Sequence, residues 1–276
     1  MNSLRLTLHV CLVALLSLDA WAQDTAERTL TTAQYDTLRE RGYWKWSPRQ
    51  KYHDAVVRIQ SGNAGGSGAI VWADEKFTVG YVFTAAHVIS NGQPVKVIWQ
   101  NGYSASARRS ATNSAIDGAI LIVDPPENTP VIPISKYDPQ PGETIEHCGF
   151  GGPGNNLRHF HATYSHRRNG QFESQCYLLN GDSGGPVVYR GCVIGCNGGG
   201  KTKREVGVAG GGWPIHWPAW GCSRGGVVGL FGRICDPRRG GCPPNGGGGD
   251  WYPPQPNQDV PVNPFPSEPT QPTIDY

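Results

Sequence analysis

The feature that most constrains the fold is a series of short β-branched and aromatic runs separated by turn-forming residues. From about Lys51 onward, each run is only a few residues long and is followed by Gly, Pro, Asn, Asp or Ser. Glycine fills 38 of the 276 positions and proline 23, and the sequence lacks the Leu-, Ala-, Glu- and Lys-rich pattern of a helical bundle. Short strands at such close spacing are typical of β-sandwiches and β-barrels. The sequence therefore predicts an all-β protein with many loops.

Each run is predicted to form one strand. Between Asn197 and Gly226 the alternation is lost in a segment rich in Gly, Lys and Trp, which we expect to be a long surface excursion. Before the strands, Thr31 or Thr32 is expected to cap one helix that runs to Arg41, with Gly42 ending it. The predicted strands are Val56–Ile59, Ala69–Trp72, Tyr81–Thr84, Val95–Trp99, Ala119–Val123, Thr144–His147, Phe160–Tyr164, Phe172–Tyr177, Val187–Tyr189, Val193–Gly195 and Val227–Leu230.

The two ends of the chain differ in composition from its centre. Arg5 precedes a mostly apolar run, and residues 20–22 (AWA) fit the small-x-small rule for signal cleavage. We therefore expect residues 1–22 to be a secretory signal peptide, with an uncleaved membrane anchor as the alternative. Residues 23–50 are expected to be an N-terminal extension or a short pro-segment, 51–236 the folded domain, and 237–276 a Gly/Pro-rich disordered tail.

Charge and cysteine content limit the possible partners. The formal net charge is only +2, which argues against nucleic-acid binding because that function needs clustered Lys and Arg. No segment after the signal is long and apolar enough to span a membrane. Seven cysteines follow the signal, and in an oxidising compartment they are expected to form disulfides. We expect a secreted or periplasmic monomer.

Metal and cofactor sites are not expected from the sequence. The cysteines include no CxxC pair of the kind that structural zinc sites use. His159, His161 and His166 form a histidine cluster, and the first two alternate around Phe160 so that they share one strand face. We interpret this cluster as a solvated strand face rather than a metal site.

Three motifs that carry chemistry occur in order along the chain. Residues 84–87 (TAAH) directly follow a predicted strand, and residues 117–121 (DGAIL) place an aspartate at the start of another. Residues 181–186 (GDSGGP) form the most specific motif, since a plain Gly-rich turn has no need of this Asp, Ser and Pro together.

The residue types in these motifs suit nucleophilic catalysis by a serine. A serine hydroxyl needs a neighbouring base, and that base needs a carboxylate to orient it. His87 has a side chain whose reference pKa is near neutral, Asp117 would fix its tautomer, and Ser183 would attack. The glycines beside Ser183 permit a tight turn in which the N–H groups of Gly181 and Ser183 form an oxyanion hole.

Together, the motifs resemble those of the chymotrypsin/trypsin-like serine peptidase family over about Lys51 to Leu230. Residues 65–71 (GGSGAIV) and the short His-to-Asp interval are similar to the bacterial-type branch with its Deg/HtrA and glutamyl endopeptidase catalytic domains, here without a PDZ domain. The resemblance implies two six-stranded antiparallel β-barrels with a cleft between them. It also implies an exported serine endopeptidase that acts on protein or peptide substrates through a Ser-His-Asp triad and an acyl-enzyme. The alternatives are a catalytically silent trypsin-fold binding protein and hydrolysis of a non-peptide ester.

The sequence departs from the family pattern in its activation signal. It has no Ile-Val-Gly-Gly mature terminus to pair with Asp182, so we expect an arginine or another donor to neutralise this carboxylate instead. The resemblance also implies a disulfide between Cys148 and Cys192.

Substrate preference is predicted from a few positions. Tyr177 stands six residues before the serine, where trypsin-like members carry a carboxylate, so a preference for apolar or small residues is expected. The specificity pocket is assigned to Tyr177 and to a wall formed by Val193 to Gly198, including Gly195. The alternative wall is Val227 to Gly232, and His216 could read an acidic side chain from a loop.

Overall fold

The computed structural model describes residues 30–90, 92–135, 137–168, 171–208 and 211–223, with backbone alone for 166–168, 201–208, 211–218, 220 and 223. The predicted signal peptide, the strand Val227–Leu230 and the tail lie outside these residues, and so do Cys11, Cys235 and Cys242. Among the helices of the described residues, none is long and apolar enough to cross a membrane.

The described chain begins with the predicted helix, α1 (Thr32–Glu40). Thr31 caps it, and its hydroxyl and backbone N–H exchange hydrogen bonds with Gln34 in a capping box. Gly42 follows with a φ of +76°, a conformation that glycine adopts at little cost. The predicted helix is thus confirmed. A two-residue strand, β1 (Lys45–Trp46), follows it.

Six strands close the first barrel in the order β2-β3-β4-β7-β6-β5. Its interior is built from fully buried aliphatic and aromatic side chains, including Ile59, Ile70, Val82, Phe83, Ile120 and Leu121. Within this barrel, the one strand that the pattern did not predict is β6, whose Ala, Ser, Thr and Arg residues lack the bulky apolar side chains that mark a strand. The strands are β2 (Val56–Ser61), β3 (Ala64–Ala73), β4 (Gly80–Thr84), β5 (Val95–Ile98), β6 (Ser104–Asn113) and β7 (Gly118–Val123).

The second half of the chain forms another six-stranded ring, β8-β9-β10-β13-β12-β11, in which β11 pairs again with β8. The short strand β1 adds to the outside of β9. The prediction of an all-β fold with two six-stranded barrels is therefore confirmed. The strands are β8 (Thr144–Gly149), β9 (Arg158–Arg168), β10 (Gln171–Gln175), β11 (Pro186–Tyr189), β12 (Cys192–Val208) and β13 (Gly211–Ser223).

The segment after Asn197, in which the strand alternation is lost and which is predicted to be a long surface excursion, is a long β-hairpin. Strands β12 and β13 pair from Gly195 opposite Ser223 to Val208 opposite Gly211, and the base of the hairpin supplies two walls of the barrel. His216 accordingly lies in a strand rather than a loop. Glycine has low strand propensity and obscures the alternation of apolar and polar residues in the sequence. Backbone pairing over this length does not require that alternation.

The disulfide implied between Cys148 and Cys192 is also contradicted. Strand β11 lies between the two cysteines, pairing with β8 on one side and β12 on the other. Two strand spacings amount to roughly 10 Å, beyond the reach of a disulfide. The described cysteines carry buried thiols instead: Cys148, Cys176, Cys192, Cys196 and Cys222.

Candidate active site

The motif with the predicted nucleophile, residues 181–186, forms a tight turn against the first barrel. The backbone N–H of Ser67 on β3 donates to the carbonyl of Ser183 at 2.7 Å. Gly184 has a φ of +83°, and a Cβ there would lie 2.2 Å from the hydroxyl oxygen of Thr84 and 2.9 Å from the amide nitrogen of Ala85. Only glycine fits this contact. The turn thus packs onto the strand end that leads directly to His87.

The structure brings His87 and Asp117 together. The ring Nδ1 of His87 lies 2.7 Å from Oδ2 of Asp117, and the backbone N–H of His87 donates to Oδ1 at 3.0 Å. Asp117 has a φ of +53° at the start of β7, and its carbonyl accepts from the N–H of Ala86 at 3.2 Å. The carboxylate is 12% exposed and the imidazole 46%. One carboxylate therefore fixes the orientation of the ring while the other ring nitrogen stays accessible.

The turn before Ser183 has two backbone N–H groups with no acceptor among the described residues. Gly181 has a φ of +97°, and a Cβ there would lie 2.8 Å from the carbonyl oxygen of Phe150. The N–H of Asp182 donates to the carbonyl of Leu179, but no acceptor among the described residues takes the N–H of Gly181 or Ser183. Two amide hydrogens are thus available to an oxyanion.

A buried arginine neutralises Asp182. Arg158, at the start of β9, pairs with Oδ2 of Asp182, and the two residues are 2% and 0% exposed. The carboxylate also accepts from the N–H groups of Gly151 at 2.8 Å and Leu179 at 2.9 Å. The expectation that an arginine replaces the missing amino terminus is therefore confirmed.

The N-terminal segment encloses this arginine. The guanidinium carbon of Arg158 lies 4.3 Å from the ring centre of Trp44, 4.9 Å from that of Phe160 and 5.8 Å from that of Tyr35. Within the described part of the chain, its Nε and Nη2 atoms have no hydrogen-bond partner. Aromatic faces therefore compensate for part of the lost hydration. The segment before Ser47 contributes to the environment of the nucleophile turn.

Ser67 is a site residue that the sequence analysis did not single out. Its hydroxyl donates to the carbonyl of Gly181 at 2.6 Å and accepts from the N–H of Phe150 at 2.8 Å. One serine of the first barrel thus holds the turn at Gly181 and Ser183 through two hydrogen bonds and binds Phe150 through a third. Its place within the GGSG sequence was the available signal, but the partners lie more than 80 residues away.

A second positioning network lies beneath the turn. The carbonyl of Asn197 accepts from Gly184 N–H at 2.7 Å, and its side-chain amide donates to the carbonyl of Asp182 at 3.1 Å. His147 donates from Nδ1 to Oδ1 of Asn197 at 2.6 Å and accepts from the Ser174 hydroxyl at 2.9 Å. Burial lowers the pKa of His147 to about 4, so this imidazole is neutral at ordinary pH.

Each residue assigned to the specificity pocket has its own set of contacts in the structure. Tyr177 packs on Tyr43, with ring centres 5.0 Å apart, and its carbonyl accepts from the indole of Trp44. Val193 is fully buried, and both of its backbone groups bond to the segment between the barrels. Gly195 lies inside the hairpin, where a Cβ would be 1.9 Å from the carbonyl oxygen of Cys222. The specificity assignment stays a prediction, and the alternative wall at 227–232 lies outside the described residues.

Two closed barrels, with a His–Asp pair on one and a GDSGGP turn from the other, define the class of double-barrel serine peptidases. Residues 66–195 match the family model of the trypsin-like peptidase domain. The chain is also 30% identical to serine protease HTRA1A of Danio rerio over 154 residues, which are 49% of this chain and 30% of the relative. Residues 66–195 are therefore similar to trypsin-like peptidase domains, and the matched region spans less than a third of that relative's length.

Solved structures agree with this fold. The serine endoprotease from Yersinia pestis has a TM-score of 0.50 at 22% identity, covering 68% of this chain and 66% of that chain. The Rv3671c protease in its inactive form has a TM-score of 0.52 at 22% identity, covering 67% and 90%. The active form from M. tuberculosis gives 0.52 at 20% identity, covering 67% and 82%.

Proposed function

We propose that this protein is a serine endopeptidase that cleaves protein or peptide substrates through an acyl-enzyme. The observation that carries the proposal is the turn at Ser183, with two unused amide hydrogens, packed against the strand that leads to an Asp117-bound His87. The imidazole would take the hydroxyl proton as Ser183 attacks the carbonyl, and Asp117 would stabilise the imidazolium. The same imidazole would then protonate the leaving amine, and water would release the acyl group.

A fluorophosphonate probe tests the nucleophile. We expect the wild-type protein to be labelled at one serine and Ser183→Ala to be unlabelled, with His87→Ala nearly as impaired because the residues act as a unit. Ser106→Ala, an exposed serine on β6, is the matched control and should label normally. Labelling that persists in Ser183→Ala would contradict the assignment.

The same experiment separates the alternatives. A catalytically silent binding protein would leave the probe unreacted and casein uncleaved. A non-peptide esterase would react with the probe and cleave esters but leave peptides intact. The presence of all three chemical residues, together with the open amide hydrogens, favours the peptidase.

We further propose that the chain is exported, with residues 1–22 removed, and acts as a monomer in the periplasm or outside the cell.

Export brings the chain into contact with disulfide oxidants. Cys196 and Cys222 are directly opposed on β12 and β13, and their buried thiols hydrogen-bond to each other. Their oxidation would form one S–S bond and pass two electrons and two protons to the oxidant.

Analysis of the exported protein tests both the removal of residues 1–22 and the formation of the disulfide. Amino-terminal sequencing should begin at Gln23, and non-reducing peptide mapping should recover Cys196 joined to Cys222. A Cys148–Cys192 peptide is not expected, because β11 separates those residues. Recovery of Cys196 and Cys222 only as thiols from an oxidising compartment would refute the disulfide.

A further inference from the structure

One face of the β8–β9 pair carries a group of metal-ligating side chains. Glu146 on β8 stands directly opposite His161 on β9, and His159 lies two residues earlier on the same face. The sequence predicts a solvated strand face for these histidines; in the structure His159 and His161 are half-buried, and His159 packs against Trp46 and His53. His161 is 22% exposed, and the Glu146 carboxylate is 8% exposed.

Glu146 is the carboxylate around which these histidines gather. The His161 Nε2 atom lies 3.6 Å from Oε2 of Glu146. A ligand atom of His159 and one of His53 lie within 4.8 Å of each other and of a Glu146 oxygen. Zinc binds His nitrogen and carboxylate oxygen at about 2.0–2.2 Å, which places tetrahedral ligand atoms roughly 3.4 Å apart. His161 lies outside the 4.8 Å group, so joint binding requires a side-chain rotation that brings its Nε2 atom toward His159.

Hydrogen bonds distinguish ligands from supporting residues. The Nδ1 atom of His159 bonds to the Ser47 hydroxyl at 2.9 Å. When Nδ1 donates in this bond, Nε2 keeps a lone pair, as in ligating histidines whose second nitrogen donates to a neighbour.

His53 has the opposite tautomer. Its Nδ1 accepts from the backbone N–H of Gln50 at 2.9 Å, so its Nε2 carries the proton and donates to Oε1 of Glu146. Tyr52 donates to the same oxygen at 2.8 Å. These two residues orient one carboxylate oxygen and leave the other facing His161.

The charge of Glu146 is the second argument for a cation. Its ion-pair partners within 4.0 Å among the described residues are imidazoles, His53 and His161, with no Lys or Arg. A buried carboxylate normally requires a cationic partner. Two histidine nitrogens and one carboxylate oxygen are a ligand set that Zn²⁺ prefers over Mg²⁺ or Ca²⁺.

We propose that His159, His161 and Glu146 bind Zn²⁺, with His53 and Ser47 as positioning residues. The ion would join the segment before β2 to the outer face of the second barrel. The inference goes beyond the proposed peptidase activity and does not require it.

Zinc binding to full-length Ser183→Ala protein tests the site without self-cleavage. After treatment with EDTA and dialysis, we expect one equivalent of Zn²⁺ to bind and to raise the unfolding midpoint, because the ion binds the folded state alone. The double substitution of His159 and His161 by Ala should weaken binding by at least about 100-fold, and Ser47→Ala by roughly 10-fold. His166→Ala, on the same strand, is the matched control and should bind normally.

Circular dichroism without metal should match between variants. If the double variant fails to fold, Glu146→Gln takes its place in the titration. Absence of stoichiometric binding would overturn the proposal, as would binding that survives loss of these ligands. Binding that is lost in Ser183→Ala/His87→Ala but kept without His159 and His161 would place the ion at the catalytic imidazole and also refute the site.

Discussion

Ser67 shows how much of the candidate site depends on one hydroxyl. It bonds to Gly181 and Phe150, and both partners lie in the other barrel. In Ser67→Ala the N–H of Phe150 would be buried without an acceptor, at a cost of about 1–3 kcal/mol. We expect kcat to fall roughly 10- to 100-fold as the oxyanion turn loosens, with KM changed less.

Steady-state kinetics on a peptide ester would measure this change in kcat. Ser106→Ala is the control, because it removes an exposed hydroxyl that does not bond to the turn at residues 181–186. A normal kcat in folded Ser67→Ala protein would exclude the positioning role.

Arg158 stabilises the fold by pairing with the buried carboxylate of Asp182. Replacing it with Met would leave the Asp182 carboxylate buried without its cation, a change that typically costs 3–5 kcal/mol. Asp182→Asn alone would strand the arginine in the same way. The double variant Arg158→Met/Asp182→Asn should regain much of the stability, since neither charge remains.

Urea unfolding of the four proteins gives the coupling free energy, which we expect to be favourable by several kcal/mol. Additive single effects would mean that the pair does not act as a unit.

At the scale of elements, the N-terminal segment is the least expected contributor to the site. Trp44 packs over Arg158, and its indole donates to the Tyr177 carbonyl at 2.7 Å. If residues 30–47 belong to the active enzyme, Trp44→Ala should lower both stability and kcat, by about 3–5 kcal/mol for stability. Trp44→Phe keeps a ring over the guanidinium and should retain most of the activity. If the segment were a removable pro-segment, weakening it would instead raise kcat.

How far the sequence predicted these elements depends on what marks them locally. The capped helix α1 and strands such as β4 have side chains that specify them without help from distant residues. Strand β6 consists mostly of small and polar residues, and the hairpin of β12 and β13 mixes glycine with Lys, Pro and Trp, so neither has a clear periodic signal. The motif residues His87, Asp117 and Ser183 were recognisable, whereas Arg158 and Ser67 matter only through partners far along the chain.

At the scale of the whole molecule, acid should weaken the fold through His147. Its pKa is lowered from 6.5 to about 4 by burial between the barrel wall and Asn197. Below pH 6.5 the unfolded chain takes up a proton that the folded protein refuses, so stability falls as the pH drops toward 4 and this contribution then levels off. The difference of pKa corresponds to roughly 3 kcal/mol.

Urea unfolding of wild type and His147→Gln between pH 4 and 7.5 isolates this contribution, because glutamine cannot titrate and other groups cancel in the difference. The wild type should lose stability relative to the variant as the pH falls. Asn197 also accepts the N–H of Gly184, so protonation of the folded His147 ring would disturb the turn that carries Ser183. Because the pKa of the folded ring is about 4, we expect this effect on kcat only as the pH approaches 4. A difference in stability between wild type and His147→Gln that does not change with pH would show that titration of the buried His147 ring does not weaken the fold.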